Sequence, residues 1–239
     1  MKNVNRRNMM RIGGAVIAGT SFNTQTASAG ESALADDRSG LSTGSPVPLK
    51  VKAVPGFLSE QQIDVHHRAH YGGALGRYKD LNQTLRAVTR GQEPHPGAAF
   101  GAMVRDRASK ANSVVLHEVY FDGLSVQRTN PQGDVAAAIE SSFGSVMNWA
   151  ADFAACARSA SGWAILALHT VNGQLFNLAS DEHATNLMWG GVPLVALDVY
   201  EHAYYLDYLN DKGTYIDRFF EHLDWHAVET RHADAVAVQ

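Results

Sequence analysis

The stretch DVYEHAYYLDYLN, residues 198–210, places Asp198 and His202 four residues apart among four tyrosines. Side chains at that spacing face the same side of a helix, so a carboxylate and an imidazole could bind one metal ion there. The alternative is an ordinary aromatic helix whose tyrosines form core, because Asp-x-x-x-His occurs by chance in many helices. The rest of the sequence must decide between the two.

The composition is typical of a soluble globular protein, with 45% hydrophobic and 18% charged residues in 239. No run of eighteen apolar residues follows the N-terminal segment, so we expect no stable membrane association. A single cysteine, Cys156, allows neither an intrachain disulfide nor a thiolate metal cage. A metal site would therefore use nitrogen and oxygen ligands, and eleven histidines supply the nitrogen.

The first 29 residues look like a twin-arginine export signal peptide. They contain the pair Arg6-Arg7, a short apolar stretch at residues 12–20, and Ala27-Ser28-Ala29, which fits a cleavage site. The signal predicts an exported protein, periplasmic or extracellular. Its removal would take away four basic residues and no acids, changing the formal net charge from −4 to −8. A surface that acidic argues against nucleic-acid binding.

The remaining chain divides into a lead-in and two parts. Residues 30–52 are small and polar without periodicity, which predicts a flexible lead-in. Residues 53–128 contain helical patterns from Ser59 to about Arg90 and from about Ala98 to Gly123, joined as a hairpin. Residues 129–239 contain a helical pattern over 134–157, then three strand-like runs, of which the first two flank an Asn-Gly turn, and EHAYYLDYLN as a helix.

Four candidate ligands occupy defined places in this order of elements. His66 lies on the first helix and His117 on the second, while Asp198 and His202 lie at a junction between a strand and a helix. Three imidazoles and one carboxylate suit iron or manganese, and they leave a position open for solvent or substrate. Spacing alone leaves this prediction weak.

Four motifs, of which the opening stretch is one, carry a resemblance to the iron/manganese superoxide dismutase family, from Leu58 to about Arg231. They are DVYEHAYYLDY, SSFGS at 141–145, SGW at 161–163 and LDW at 223–225. The resemblance implies an α+β fold, in which an N-terminal helical hairpin precedes an α/β domain with a three-stranded antiparallel sheet. It also implies one iron (Fe) or manganese (Mn) ion per subunit, bound by His66, His117, Asp198 and His202. The expected activity is conversion of superoxide to oxygen and hydrogen peroxide by redox cycling of that ion.

The resemblance also assigns roles around the metal. His70 matches the histidine of the substrate channel, and Trp163 matches a wall of the metal pocket. Tyr205 matches the tyrosine that pairs with the channel histidine across a dimer interface, and Glu201 matches a glutamate that bridges to a ligand histidine of the other subunit. The expected assembly is a homodimer, with a tetramer left open.

Three positions depart from the family pattern. Ala74 stands where the family has a tyrosine at the substrate entrance, and Tyr78 lies about 120° round an ideal helix from His66, so it could substitute only if the backbone bulges near Gly72-Gly73. Ser113 is too short to reach the metal-bound solvent, which leaves His183 for that role, or as an exposed loop histidine. Lys212 stands near the channel where the family has an arginine, and it is either part of a positive funnel or a surface lysine.

Two other functions remain open from the sequence. The loss of the entrance tyrosine favours a catalytically weakened metal-binding or adhesion protein on the same scaffold. A zinc hydrolase is weaker, because Glu118 follows His117 but Phe121 stands where H-E-x-x-H requires its second histidine.

Overall fold

The computed structural model describes residues 39–237. The predicted export signal and residues 30–38 of the lead-in lie outside the described residues. Within the described part of the chain, no helix combines the length and apolarity needed to cross a bilayer.

The N-terminal part is a helical hairpin, as the periodicity predicts. Its elements are α1 (Gly40–Thr43), α2 (Glu60–Val65), a π-helical stretch (His66–Tyr71), α3 (Gly72–Thr89) and α4 (Ala99–Asp122). Ser59 caps α2, since its side chain accepts the Gln62 N–H at 3.1 Å. The Gln62 side chain does not complete a capping box, because Asp207 Oδ2 accepts the Ser59 N–H at 2.7 Å instead.

The π-helical stretch contains two of the histidines that the sequence singles out, His66 and His70. A π turn widens the helix by one residue and changes the direction of the side chains that follow. The bulge that the sequence analysis requires near Gly72-Gly73 is therefore present, immediately before Gly72.

The C-terminal part begins with two helices where the sequence predicts one over 134–157. They are α5 (Gly133–Phe143) and α6 (Val146–Ser159). The prediction of a continuous helix is wrong because Gly144 takes the left-handed conformation, with φ of 80°. Ser145 then starts α6 by accepting the Asn148 N–H at 3.0 Å.

A three-stranded antiparallel sheet follows, in agreement with the expected fold. Its strands are β1 (Trp163–His169), β2 (Gln174–Ser180) and β3 (Gly191–Asp198), in the order β2-β1-β3. β1 is buried along all but its last residue, which explains its uninterrupted apolar sequence. Trp163 at the start of β1 pairs with Asp198 at the end of β3, so one end of the sheet presents both side chains to the helical hairpin.

The segment after β3 differs from the single helix predicted for EHAYYLDYLN. It forms a 3₁₀ turn (Glu201–Ala203) and a four-residue helix α7 (Tyr205–Tyr208). Tyr204 interrupts the two with φ of −141°, and Leu209 ends α7 with a positive φ of 52°. The chain closes with α8 (Lys212–Phe219) and α9 (Trp225–Ala237).

Residues 39–52, predicted as part of a flexible lead-in, lie along the helical hairpin. Glu118 accepts hydrogen bonds from the Ser39 hydroxyl at 2.8 Å and the Gly40 N–H at 2.9 Å. The Tyr71 hydroxyl accepts the Val47 N–H at 2.9 Å and donates to Glu118 at 2.8 Å. All described residues belong to one compact unit, so the predicted parts 53–128 and 129–239 pack together.

Candidate metal centre

The four predicted ligands converge on Asp198 Oδ2. That oxygen lies 3.1 Å from His66 Nε2, 3.2 Å from His202 Nε2 and 3.6 Å from His117 Nε2. Two ligand atoms each about 2.1 Å from one ion are about 3.0–3.6 Å apart at angles of about 90–120°. All four ligand atoms lie within 4.8 Å of one another, so the group could hold a single metal ion.

His117 supports this interpretation through a buried nitrogen that has no hydrogen-bond partner among the described residues. Its Nε2 is the unpartnered atom, while its Nδ1 donates to the Ser113 carbonyl at 2.7 Å. Because the proton is on Nδ1, Nε2 carries the lone pair that a metal requires.

The protonation states also suit a metal. Burial lowers the pKa of His66 despite the opposing effect of Asp198, and burial lowers the pKa of His117 well below its usual value. Burial by itself would raise the pKa of Asp198, but hydrogen bonds from His202 and His66 outweigh it and hold that pKa below its ordinary range. Neutral imidazoles and an ionised carboxylate are the forms that bind metal.

Hydrogen bonds at the end of β3 hold Asp198 on the side that faces away from the three histidines. Its Oδ1 accepts the Tyr200 N–H at 3.0 Å, and its carbonyl accepts the Tyr215 hydroxyl at 2.8 Å. Tyr120 donates in turn to Tyr215 at 3.1 Å. These bonds leave Oδ2 as the atom directed at the histidines.

His70 stacks on the ligand His202, with ring centroids 3.7 Å apart and planes at 8°. Burial, followed by the electrostatic effect of the neighbouring His202, lowers the pKa of His70 to about 4. His70 is therefore neutral near pH 7 and lies beside the metal site, as the resemblance implies for the channel histidine.

Trp163 and His183 form the opposite wall of the site. The Trp163 indole N–H donates to His183 Nδ1 at 3.0 Å, and the indole ring meets His117 edge-on at 5.1 Å. Because His183 accepts at Nδ1, its neutral form carries the proton on Nε2. Burial lowers the pKa of His183, which favours that neutral form.

A cavity of about 320 Å³ opens above the ligands. Its lining combines site histidines, small residues and two cations: Ala69, His70, Gly73, Ala74, Arg77, Lys110, Ser113, His117, His183 and His202. Arg77 forms an ion pair with Asp106 at 2.9 Å. No ion pair of Lys110 is found within residues 39–237, so its charge faces the cavity without compensation from the described chain.

Lys110 and Arg77 were not predicted as site residues, although their spacing from site histidines contains a signal. Lys110 precedes His117 by seven residues, and Arg77 follows His70 by seven, so each lies about 20° from a site histidine around an ideal helix. The relation holds for Lys110 and His117, which both lie on α4, whereas the π-helical stretch separates His70 from Arg77, which the packing of α3 places at the cavity.

Two residues that were predicted to act beside the metal lie away from the cavity. Tyr78 is not among the residues that line the cavity and packs partly buried against the core, so its predicted role at the entrance is not supported by the geometry, despite the bulge. Lys212 also does not line the cavity, because its ammonium donates to the Ala160 carbonyl at 2.7 Å. Ala69, Gly73 and Ala74 give the cavity a wall of small side chains.

Three other predicted roles can be placed. Glu118, considered for a zinc hydrolase, accepts hydrogen bonds from Ser39, Gly40 and Tyr71. It does not belong to the ligand group. Glu201 and Tyr205, predicted at a dimer interface, are exposed, Tyr205 to 44%. His67, next to the ligand His66, is half-buried, and its Nε2 is hydrogen-bonded to the Val47 carbonyl at 2.8 Å.

The fold and the site define a mononuclear metal-binding protein of the three-histidine, one-carboxylate class, in which a helical hairpin and an antiparallel sheet each supply ligands. The family model described as iron/manganese superoxide dismutases, C-terminal domain, matches residues 131–231. Together with the relatives described next, this match shows that the chain belongs to the iron/manganese superoxide dismutase family.

Some relatives are named for manganese and others for iron. Manganese superoxide dismutase 1 of Halobacterium salinarum is 35% identical over 75% of this chain and 89% of its own length. The iron superoxide dismutase of Cupriavidus metallidurans is 37% identical over 75% of this chain and 90% of its own length. The iron superoxide dismutase of Aquifex pyrophilus is 31% identical over 75% of this chain and 86% of its own length.

Proposed function

We propose that this protein is a superoxide dismutase that converts two superoxide anions and two protons into oxygen and hydrogen peroxide. The observation that carries the proposal is the convergence of His66, His117, Asp198 and His202 under a cavity open to solvent. Iron or manganese, held by these four side chains, would supply the redox couple through which an electron taken from one superoxide is passed to the next.

The charge of the four ligand side chains is compatible with an iron or manganese ion that changes oxidation state. Three neutral imidazoles and one carboxylate would bring a single negative charge to the ion, and the Tyr200 N–H donates to Asp198 Oδ1 at 3.0 Å. The bond from Tyr200 N–H withdraws some of that charge. Such outer contacts hold the ligands in place and influence the potential of the site.

Lys110 is the residue that we assign to anion entry, in place of Lys212. It lines the cavity and has no ion-pair partner among the described residues, whereas the charge of Arg77 is shared with Asp106. A local positive charge beside a site raises the encounter rate of a small anion even when the whole protein is acidic.

His183 is the residue that we assign to hydrogen bonding at the reaction centre. Trp163 holds its Nδ1 as an acceptor, so the Nε2–H is available to donate to a solvent or substrate oxygen in the cavity. Reduction of superoxide to hydrogen peroxide consumes two protons, and a fixed donor beside the site orients the groups that deliver them.

The direct test is superoxide decay followed by stopped-flow with metal-free protein reloaded with iron, with manganese or with zinc. We expect turnover with iron or manganese and none with zinc, with one ion bound per chain by elemental analysis. His117→Ala and Asp198→Ala should abolish stoichiometric binding. One ion bound without superoxide turnover would instead identify a metal-binding protein on this scaffold.

We also propose that the chain is exported, on the strength of its twin-arginine sequence and the small residues 27–29. Replacing Arg6-Arg7 by two lysines should retain the protein in the cytoplasm, and cell fractionation followed by N-terminal sequencing checks this. Equal export of the lysine variant would exclude the twin-arginine route.

A homodimer is our proposal for the assembly. Tyr205, Leu206 and Leu209 are exposed to 44%, 54% and 62%, and they lie beside the exposed Glu201. An apolar patch of this kind favours association. Sedimentation analysis should show two chains for the native protein and a weakened dimer for Glu201→Lys; an unchanged dimer in that variant would place the interface elsewhere.

A further inference from the structure

His202 differs from the other three ligands in the way the fold holds it. Its side chain is 21% exposed, whereas those of His66, His117 and Asp198 are at most 1% exposed. It belongs to a three-residue 3₁₀ turn followed by the irregular Tyr204, so no long helix or strand fixes its backbone.

Gln62 provides a fixed point for this segment. Its side chain is 1% exposed, and its amide N–H donates to the His202 carbonyl at 2.7 Å. Its amide oxygen accepts the Leu206 N–H at 3.1 Å. Both hydrogen-bonding groups of one buried amide are thus used on the segment that carries His202.

Gln62 also lies one helical turn before His66, since four residues separate them and the chain there is helical. It therefore connects the backbone that carries one ligand to the backbone that carries another. Two further bonds join the same segments, from Ser59 N–H to Asp207 at 2.7 Å and from the Tyr208 hydroxyl to the Phe57 carbonyl at 2.7 Å. Neither of these touches a ligand residue.

We infer that Gln62 is a positioning residue, which holds His202 at the correct distance from His66 for both to bind one ion. The inference rests on the metal site proposed above. It predicts that loss of the Gln62 amide weakens metal retention beyond any general loss of stability, because the His202 backbone is then free to move and its buried carbonyl loses a donor.

The test compares Gln62→Met with Tyr208→Phe in the metal-loaded protein. Methionine has nearly the volume of glutamine but makes neither bond, and Tyr208→Phe removes a bond in the same segment that does not involve a ligand. We expect release of iron or manganese to excess chelator to be faster by about 10-fold or more in Gln62→Met, and unchanged in Tyr208→Phe. The visible absorption of the oxidised metal should shift in Gln62→Met alone.

Melting temperatures distinguish a loss of His202 positioning from a general loss of folding stability. Metal binding raises the melting temperature by an amount that increases with its affinity for the folded state, so the difference between loaded and metal-free protein should shrink in Gln62→Met and persist in Tyr208→Phe. Equal metal release from both variants, or equal losses in loaded and metal-free protein, would overturn the inference. If Gln62→Met does not fold, Gln62→Asn, which is one methylene too short to make both bonds, takes the same measurements. None of them depends on superoxide turnover.

Discussion

The chemistry of the site depends on which nitrogen of each histidine carries a proton. The Ser113 carbonyl fixes the proton of His117 on Nδ1, and the Trp163 indole fixes that of His183 on Nε2. The first arrangement produces a metal ligand and the second produces a donor, from the same side-chain type. Hydrogen-bond partners therefore assign the roles, and neither partner can be identified from spacing alone.

His183→Ala should lower superoxide turnover by about 10- to 100-fold at unchanged metal content, because it removes the donor beside the ligands but no ligand. Stopped-flow decay and elemental analysis on the same sample check this. His95→Ala is the matched control, since His95 is exposed and does not line the cavity. Full activity in His183→Ala would refute the role assigned to this residue.

The metal-free protein should lose stability as the pH falls from about 6.5 towards 4. The pKa of His70 is lowered from 6.5 to about 4 by burial and by His202. Between these values the unfolded chain binds a proton that the folded protein excludes, so acid favours unfolding. The stability is fully present above pH 6.5 and declines below it.

Urea unfolding of metal-free protein between pH 4.5 and 7.5 measures this dependence. His70→Gln should reduce the slope without abolishing it, because burial also lowers the pKa of His66 and His117. An identical slope in wild type and His70→Gln would contradict the assignment.

Secondary structure was predictable at several points where local residues determine the backbone. The Asn172-Gly173 turn, in which Gly173 has φ of 68°, forms the expected hairpin, and the Ser59 cap begins the expected helix. The segment after Asp198 was not predictable as observed. Its aromatic residues have helical spacing, but bonds from Gln62 and the packing of Tyr204 interrupt the helix, and those are tertiary contacts.

The segment containing α1 is held by Glu118 on α4. Glu118→Ala would leave the Ser39 hydroxyl, the Gly40 N–H and the Tyr71 hydroxyl without their acceptor. We expect a loss of about 1–3 kcal/mol in the free energy of unfolding, with metal content unchanged. Denaturant titration and elemental analysis check both statements.

Glu140→Ala provides the comparison, because Glu140 is an exposed helical residue of the same type. It should leave stability almost unaffected. A loss of metal in Glu118→Ala would mean that Glu118 also supports the metal site.

Folding of the whole chain brings the ligands together from three separate parts of the sequence. The π-helical stretch carries His66, α4 carries His117, and the end of β3 with its following turn carries Asp198 and His202. The ligands could be predicted from motifs with family order and spacing. The cavity wall could not, because Arg77 and Lys110 become neighbours only when α3 packs against α4.

The distribution of charge over the molecule gives the last prediction. The full chain has a formal net charge of −4, which opposes the approach of an anion, while Lys110 lines the cavity. A unit charge about 4 Å from an anion stabilises it by about 1 kcal/mol in water, or about fivefold in rate. Lys110→Glu should therefore lower kcat/KM for superoxide by at least that factor at low salt. In the wild type, added salt should slow the reaction by screening Lys110, whereas in Lys110→Glu it should accelerate it.

Lys52→Glu changes the net charge equally at an exposed position that does not line the cavity, and it should have little effect. Equal effects of the two variants would show that total charge governs the encounter, and Lys110 would then have no special role.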